Sequence, residues 1–305
     1  MREIKILQQL SHGNIVQMQE ITMAPPSDKD VFIVFDYLEH DLNGIMKNEA
    51  GLNLLRDERK GEIVIKGLMH QLVMGLEYLH NEARVIHRDM KGSNILIDKY
   101  GKVKLADFGL ARSIHGPSQQ EGTVYNPKIL PMMTNRVITL WFRPPEVLLG
   151  DYSYGSEVDI WGLGCIFAEL FLGKPAFAGS DEISQLEAIL IGLKDEQKDP
   201  NEPLKMFTQL PWYKLIPKCL LEGYRPTGPN LRDRLKESKI TKEASNLMFS
   251  MLEFDPKKRI TCREALKSEY FAECSKKQFY ELYRRLFETS NFFNSELKSS
   301  EPCKK

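Results

Sequence analysis

The sequence predicts an α+β fold, a small β-rich part leading into a much larger and mainly helical one. Two strand-like runs, residues 15–21 and Val31–Phe35, lie near the N-terminus. From residue 60 onward the longest apolar patterns have helical rather than alternating spacing. The chain has 305 residues, enough for one large domain or two small ones with a sizeable core.

The elements follow in chain order. Residues 1–10 read as a helix, with Ile4, Leu7 and Leu10 on one face and no capping residue before it. A domain seldom starts inside an amphipathic helix, so a missing upstream segment is expected. Pro25, Pro26 and Ser27 mark the turn between the two strands. Residues 60–80 form a long helical pattern, and 87–110 alternate short β-rich runs with turns. Residues 113–133 are polar and carry Pro and Gly, as a loop does. A strongly apolar helix is expected over 156–172, a second over 181–193, and short closing helices over 242–252 and 262–267. Between them 200–238 reads as loop-rich, with Pro203, Pro211, Pro217, Pro226 and Pro229. Residues 276–287 predict an amphipathic tail helix, and the last dozen residues read as disordered. There is no internal repeat or low-complexity segment.

Composition excludes several classes. Lys plus Arg equals Asp plus Glu at 42 each, so no global field favours nucleic acid or a membrane surface. The densest apolar run, 165–172, contains Glu169 and stops at Gly173, too short to cross a bilayer. Met1-Arg2-Glu3-Ile4-Lys5 lacks the apolar core of a signal peptide. Cys165, Cys219, Cys262, Cys274 and Cys303 are odd in number and not at metal-ligand spacing, which points to reduced thiols in a soluble intracellular protein.

The chemistry concentrates in His87-Arg88-Asp89-Met90-Lys91-Gly92-Ser93-Asn94. Phosphoryl transfer needs a carboxylate to orient the attacking hydroxyl, ligands for Mg²⁺, and positive charge on the phosphates. Asp89 fits the first role and Lys91, two residues on, the third. Asn94 and the carboxylate of Asp107, in Asp107-Phe108-Gly109, are hard oxygen ligands suited to Mg²⁺. Either tripeptide alone is an ordinary turn or strand end. Eighteen residues apart, with Ile95-Leu96-Ile97 between, they form an ordered pair with a chemical logic.

With these motifs the chain resembles a eukaryotic protein kinase over about residues 1–272. The resemblance implies a remnant of the small lobe over 1–35, the hinge and large lobe over 36–275, and a tail over 276–305. Asp159-Ile160-Trp161 and Gly164 look like the central large-lobe helix, whose Asp clamps the catalytic loop. Pro144-Pro145-Glu146 looks like the end of the activation segment, with Glu146 pairing Arg259. Asp89-x-Lys91-x-x-Asn94 resembles serine/threonine kinases, and Thr139 is expected between Asp89 and Lys91. By the same resemblance Phe35 is the gatekeeper, Asp36 and Leu38 offer backbone groups to the adenine of ATP, Asp41 faces the ribose and Leu96 floors the base. Phe35 and Leu96 are expected to be largely buried.

Thr134-Asn135-Arg136-Val137-Ile138-Thr139-Leu140-Trp141-Phe142-Arg143-Pro144-Pro145-Glu146 is similar to the activation segment of cyclin-dependent kinases. This implies a cyclin partner and an activating phosphate on Thr134, gathered by Arg2, Arg88 and Arg112. Val137-Ile138 before Thr139 resembles proline-directed kinases, where the backbone beside the substrate leaves no acceptor for an N–H. The stretches 91–96, 134–139 and Leu210-Pro211-Trp212-Tyr213 lean to the transcriptional branch. Its fungal C-terminal-domain kinases and animal cyclin K-associated kinases imply a cyclin K-like partner, heptad-repeat serines of RNA polymerase II as substrate, and a nuclear location. A cell-cycle-type kinase is the alternative within enzymes.

The sequence contains no Gly-x-Gly-x-x-Gly before a strand and no Val-Ala-x-Lys, both expected upstream of Arg2-Glu3. Glu3 then lacks its partner lysine. A truncated kinase, a pseudokinase or cyclin-binding interaction module, and a substrate-sequestering fragment are the readings open at this point.

Overall fold

The structure is a computed structural model that describes residues 2–23, 31–114, 138–195, 202–221, 227–274 and 276–288. The expected loop and the terminal dozen residues lie almost wholly outside these. The first part holds α1 (Arg2–Leu7), β1 (Met18–Met23) and β2 (Val31–Phe35), with β1 and β2 antiparallel. The second strand falls where its apolar run predicts. The first begins three residues later than expected, because Ile15 and Val16 are buried against the large part. Ile15 bridges Leu105, and Val16 N–H donates to Leu105 O at 2.9 Å.

Next come β3 (His40–Asp41), α2 (Leu42–Lys47), α3 (Glu49–Arg56) and α4 (Gly61–Glu77), the last continuing as one turn of π-helix over Tyr78–Glu82. Sequence patterning does not reveal α2 and α3. Each is short, and each is fixed by its cap: Asp41 accepts from Gly44 N and Asn48 from Ala50 N. After β4 (Val85–Ile86) come β5 (Ile95–Ile97), β6 (Val103–Leu105) and β7 (Arg112–Ser113). β3, β5 and β6 form one antiparallel sheet, and β4 pairs with β7.

The helical remainder is α5 (Pro145–Leu148), α6 (Glu157–Leu172), α7 (Glu182–Leu193), α8 (Lys218–Leu221), α9 (Leu231–Lys236), α10 (Lys242–Met251), α11 (Cys262–Ala265) and α12 (Lys277–Glu288). Helix α6 is apolar on every face and buried along nearly its whole length, in contact with α4 and α10. It ends at Gly173, whose φ of 66° is the left-handed cap that glycine supplies most readily. Asp181 with Ser184, and Thr261 with Glu264, form capping boxes that start α7 and α11.

The stretch expected to be loop-rich is partly helical. Besides α8 and α9 it contains 3₁₀ turns at Glu202–Phe207 and Tyr213–Leu215. Its prolines do not prevent this. Pro203 sits in a first turn, Pro217 just before α8, and Pro229 just before the Asn230 cap of α9. Helix α12 is amphipathic as predicted and sits on α4, with Tyr283 and Phe287 inside the common hydrophobic core.

Cys165, Cys262 and Cys274 are free and buried, and burial pushes the Cys274 thiol up to about 12. Among the described residues no helix is long and apolar enough to cross a membrane.

Candidate active site

The loop from His87 to Asn94 hangs from β4 and is held from behind by α6. Asp159, one of the few polar groups buried in that helix, accepts His87 N–H on Oδ2 and Arg88 N–H on Oδ1, both at 2.8 Å. His80, in the π turn, places Nε2 2.8 Å from the same Oδ2. Burial pushes the Asp159 carboxyl up, but His80, His87 and the Arg88 amide outweigh it and hold it below the usual aspartate range. Gly162 lets α6 approach: a Cβ there would come within 2.8 Å of Met90 Cβ. Pinned in this way, Arg88 adopts φ 68°.

Asp89 is 5% exposed and fully engaged. Thr139 Oγ1 donates to its Oδ1 at 2.9 Å. Lys91 Nζ at 2.5 Å and Asn94 Nδ2 at 3.0 Å donate to its Oδ2. Burial raises the carboxyl, yet the hydrogen bonds from Lys91, Thr139 and Asn94 and the Lys91 charge prevail, so its proton is held less tightly than usual. At neutral pH Asp89 is a carboxylate, able to accept a hydrogen bond from a hydroxyl. His87 is fixed as well: its Nδ1 accepts Asp89 N–H at 3.2 Å, so the Nε2 that meets Ala106 O at 2.9 Å carries the proton.

Asp107 lies close to Asn94 along the backbone, since Ala106 N–H donates to Asn94 O at 2.9 Å. Asp107 has φ 61°, and Gly109 N–H reaches its Oδ1 at 3.3 Å. Phe108 is buried edge-on against His87, with ring centres 5.0 Å apart. The Asn94 amide nitrogen also donates to Asp89 O at 2.9 Å, which turns its Oδ1 the other way. A neutral amide oxygen and a carboxylate on adjoining segments suit a Mg²⁺ that keeps most of its shell from water and phosphate.

Of the residues expected around the nucleotide, Asp36, Asp41 and Leu96 are linked through the β3–β5–β6 sheet and Lys104. Asp41 stands opposite Leu96 in the β3–β5 ladder, and Leu96 opposite Lys104 in β5–β6. Phe35 and Leu96 are partly buried, Phe35 against the hydrophobic core, so neither is fully enclosed. Among the described residues β2 pairs only with β1, and most of both strands is exposed. Asp36 N–H donates to Gln17 O at 3.1 Å. Its carboxylate is ion-paired with Lys104 and accepts Gln19 Nε2, a pairing no sequence signal announces. Asp41 commits Oδ1 to the α2 cap at 2.9 Å. Leu38 is half-buried on the adjoining segment.

Of the residues expected to hold a phosphate, Arg88 and Arg112 converge. The β4–β7 pairing sets Arg112 opposite Ile86. Arg88 donates to Leu110 O at 2.7 Å and to the Tyr154 hydroxyl at 3.1 Å, and both guanidinium charges act on that hydroxyl. Tyr154 was not anticipated, because 66 residues separate it from Arg88. Thr134, and the side chains of Arg2 and Glu3, lie outside the described residues. The pair expected from sequence, Glu146 with Arg259, is bidentate at 2.8 and 3.1 Å and almost wholly buried.

The fold, the loop and the paired metal-ligand candidates define a class. The chain belongs to the protein kinase family, whose protein kinase domain matches residues 1–271. Within that family it is similar to Cyclin-dependent kinase C-2 of Oryza sativa subsp. japonica, 41% identical over an alignment of 288 residues, with 88% of this chain and 50% of the rice protein covered. It is likewise similar to CTD kinase subunit alpha of Schizosaccharomyces pombe, 42% identical over 272 residues, 88% of this chain and 40% of that one. Among solved structures it is similar to a chain of the yeast RNA Pol II CTD kinase CTDK-1 complex, with TM-score 0.71, 36% identity, and coverage of 88% of this chain and 79% of that one. The chain spans about half the length, or less, of these two relatives.

Proposed function

We propose that the chain is the catalytic part of an ATP-dependent serine/threonine protein kinase, cyclin-dependent and proline-directed, acting on the heptad-repeat domain of RNA polymerase II in the nucleus. The observation that carries the reading is the ionised Asp89, held between Lys91, Thr139 and Asn94. Asp89 orients the substrate hydroxyl and accepts its proton late in the transfer. The bond from the γ-phosphorus to the bridging oxygen breaks as the bond to the substrate oxygen forms, and ADP leaves. Lys91 offsets the charge on the moving phosphoryl group. Asn94 and Asp107 would hold Mg²⁺, which supplies charge neutralisation at the β- and γ-phosphates. Phe35, Asp36, Leu38, Asp41 and Leu96 would seat the nucleoside.

Phosphate on Thr134, met by Arg2, Arg88 and Arg112, would order the segment that receives substrate. The convergence of Arg88 and Arg112 on Tyr154 supports that reading. The transcriptional substrate and a cyclin K-like partner rest on similarity to the CTD kinases.

The test is phosphoryl transfer to a Ser-Pro heptad peptide with and without cyclin, beside a matched Ser-Ala peptide and an unrelated Ser-Pro peptide. Transfer that requires the proline and prefers the heptad is expected. Asp89→Asn is expected to lower transfer about 10³-fold while Mg·ATP affinity stays within about twofold. Equal loss of both would sink the role given to Asp89. Absence of nucleotide binding in the parent chain would favour an interaction module, and preference for the unrelated peptide a cell-cycle-type kinase.

A further inference from the structure

Tyr283 of α12 occupies a slot that two glycines leave open. A Cβ on Gly67 of α4 would lie 2.2 Å from its ring, and one on Gly101, in the turn between β5 and β6, 2.8 Å. Phe287 closes the slot, its ring centre 5.0 Å away. A phenylalanine would fill this space as well, so packing alone does not account for the hydroxyl. That hydroxyl donates to Gly101 O at 2.7 Å and accepts Gln71 Nε2 at 3.2 Å. Burial pushes its pKa up, which keeps it a donor.

Gln71 carries the contact into the large lobe. Its Oε1 accepts Val103 N–H at 3.1 Å and Asn14 Nδ2 at 3.2 Å. Turned over, the amide would set its own NH₂ against both donors. The acceptors on its other side, Gly101 O at 2.9 Å, the Tyr283 hydroxyl at 3.2 Å and Gly67 O at 3.3 Å, together select the orientation that β6 needs, and Tyr283 is the one of them a side-chain substitution removes. Asn14 then brackets β6: its Nδ2 donates to Val103 O at 2.8 Å, and its carbonyl accepts Leu105 N–H at 2.8 Å. Two residues beyond Leu105 stands Asp107, with the Ala106 amide bonded to Asn94 O.

We propose that Tyr283 is a positioning residue for the nucleotide site, setting through Gln71 and Asn14 the placement of β6 and hence of the Asp107 carboxylate. The tail helix is in this reading a support of the metal-ligand segment as well as a cover for α4. The inference rests on the kinase reading above for the role of Asp107. The hydrogen-bonded chain itself stands apart from that reading.

The same helix supplies its own control. Tyr280 is also substantially buried, but its hydroxyl meets His70 Nδ1 at 2.7 Å and has no bond to Gln71. The experiment compares the full chain with Tyr283→Phe, Gly67→Ala and Tyr280→Phe. Alanine is the better helix former, so Gly67→Ala acts by expelling the Tyr283 ring rather than by weakening α4. Amide exchange at Val103 and Leu105 is expected to speed about tenfold in Tyr283→Phe and Gly67→Ala, and to stay within about twofold in Tyr280→Phe. In peptide phosphorylation the Mg²⁺ midpoint is expected to rise about tenfold in the first two variants and to hold in the third, with KM for peptide unchanged in all. Equal exchange in all three variants, or faster exchange with an unmoved Mg²⁺ midpoint, overturns the proposal. A parent chain that transfers no phosphate even with cyclin present counts against the kinase reading instead, and exchange at β6 then decides the hydrogen-bonded chain alone.

Discussion

Ile138 holds φ 69°, a left-handed conformation that costs a non-glycine residue about 1–2 kcal/mol. Arg143 sustains it, with Nε and Nη2 donating to Ile138 O at 3.3 and 3.0 Å while Nη1 meets Glu182 at 3.2 Å. The carbonyl is thereby occupied, and a substrate N–H arriving beside it would go unpaired, a loss that proline avoids. Arg143→Met is expected to lower the Ser-Pro over Ser-Ala preference in kcat/KM about tenfold, roughly one hydrogen bond's worth. An unchanged ratio with a uniform loss of rate would refute this account. In sequence, Asp89, Lys91 and Asn94 were legible because eight consecutive residues contain the arrangement. Thr139 was reached only by resemblance, since its bond to Asp89 spans 50 residues. The role of Arg143 was hidden, because it depends on a backbone conformation that a β-branched residue rarely adopts.

At the scale of elements, α6 is the part on which the catalytic loop rests. Its apolar run made it legible, and the helices expected over 181–193 and 262–267 correspond to α7 and α11, although their capping boxes show only in the structure. Helices such as α9 were not legible, because six residues are too few to display a period and the stabilisation lies in tertiary contact. The loop-facing group of α6 is Asp159, whose two oxygens serve three donors. Asp159→Asn replaces one oxygen with an NH₂ that must face at least one of them. Denaturant unfolding is expected to show a loss of about 2–4 kcal/mol. Phosphoryl transfer is expected to fall further than the unfolded fraction explains, because Arg88 would leave its left-handed conformation. A rate loss that follows only the folded fraction would show that Asp159 supports the fold without aligning the loop.

At the scale of the whole molecule, the buried and partly buried carboxylates Asp89, Asp159 and Glu169 fall into two groups with opposite pH behaviour. Asp89 and Asp159 are depressed by their partners. They stabilise the fold above the ordinary aspartate value of 3.8 and lose that contribution as pH falls through their lower folded values. Glu169 of α6 is the reverse case, raised above 4.5 by burial alone. Its folded form binds a proton more tightly than the unfolded chain does. Protonation therefore stabilises the fold, fully so below 4.5, and that gain disappears as pH rises through the raised folded value. Ionising Glu169 where it is partly desolvated costs stability that the unfolded chain does not pay. Glu169→Gln is accordingly expected to melt at a higher temperature than the parent at pH 7.5, with the gap closing as pH is lowered to about 4. His12 and His70, both lowered chiefly by burial, are common to the two proteins, so their titration cancels from the difference. Paired melts across that range decide the matter: a gap that is independent of pH, or a variant less stable at pH 7.5, would mean that Glu169 has a compensating partner in solution.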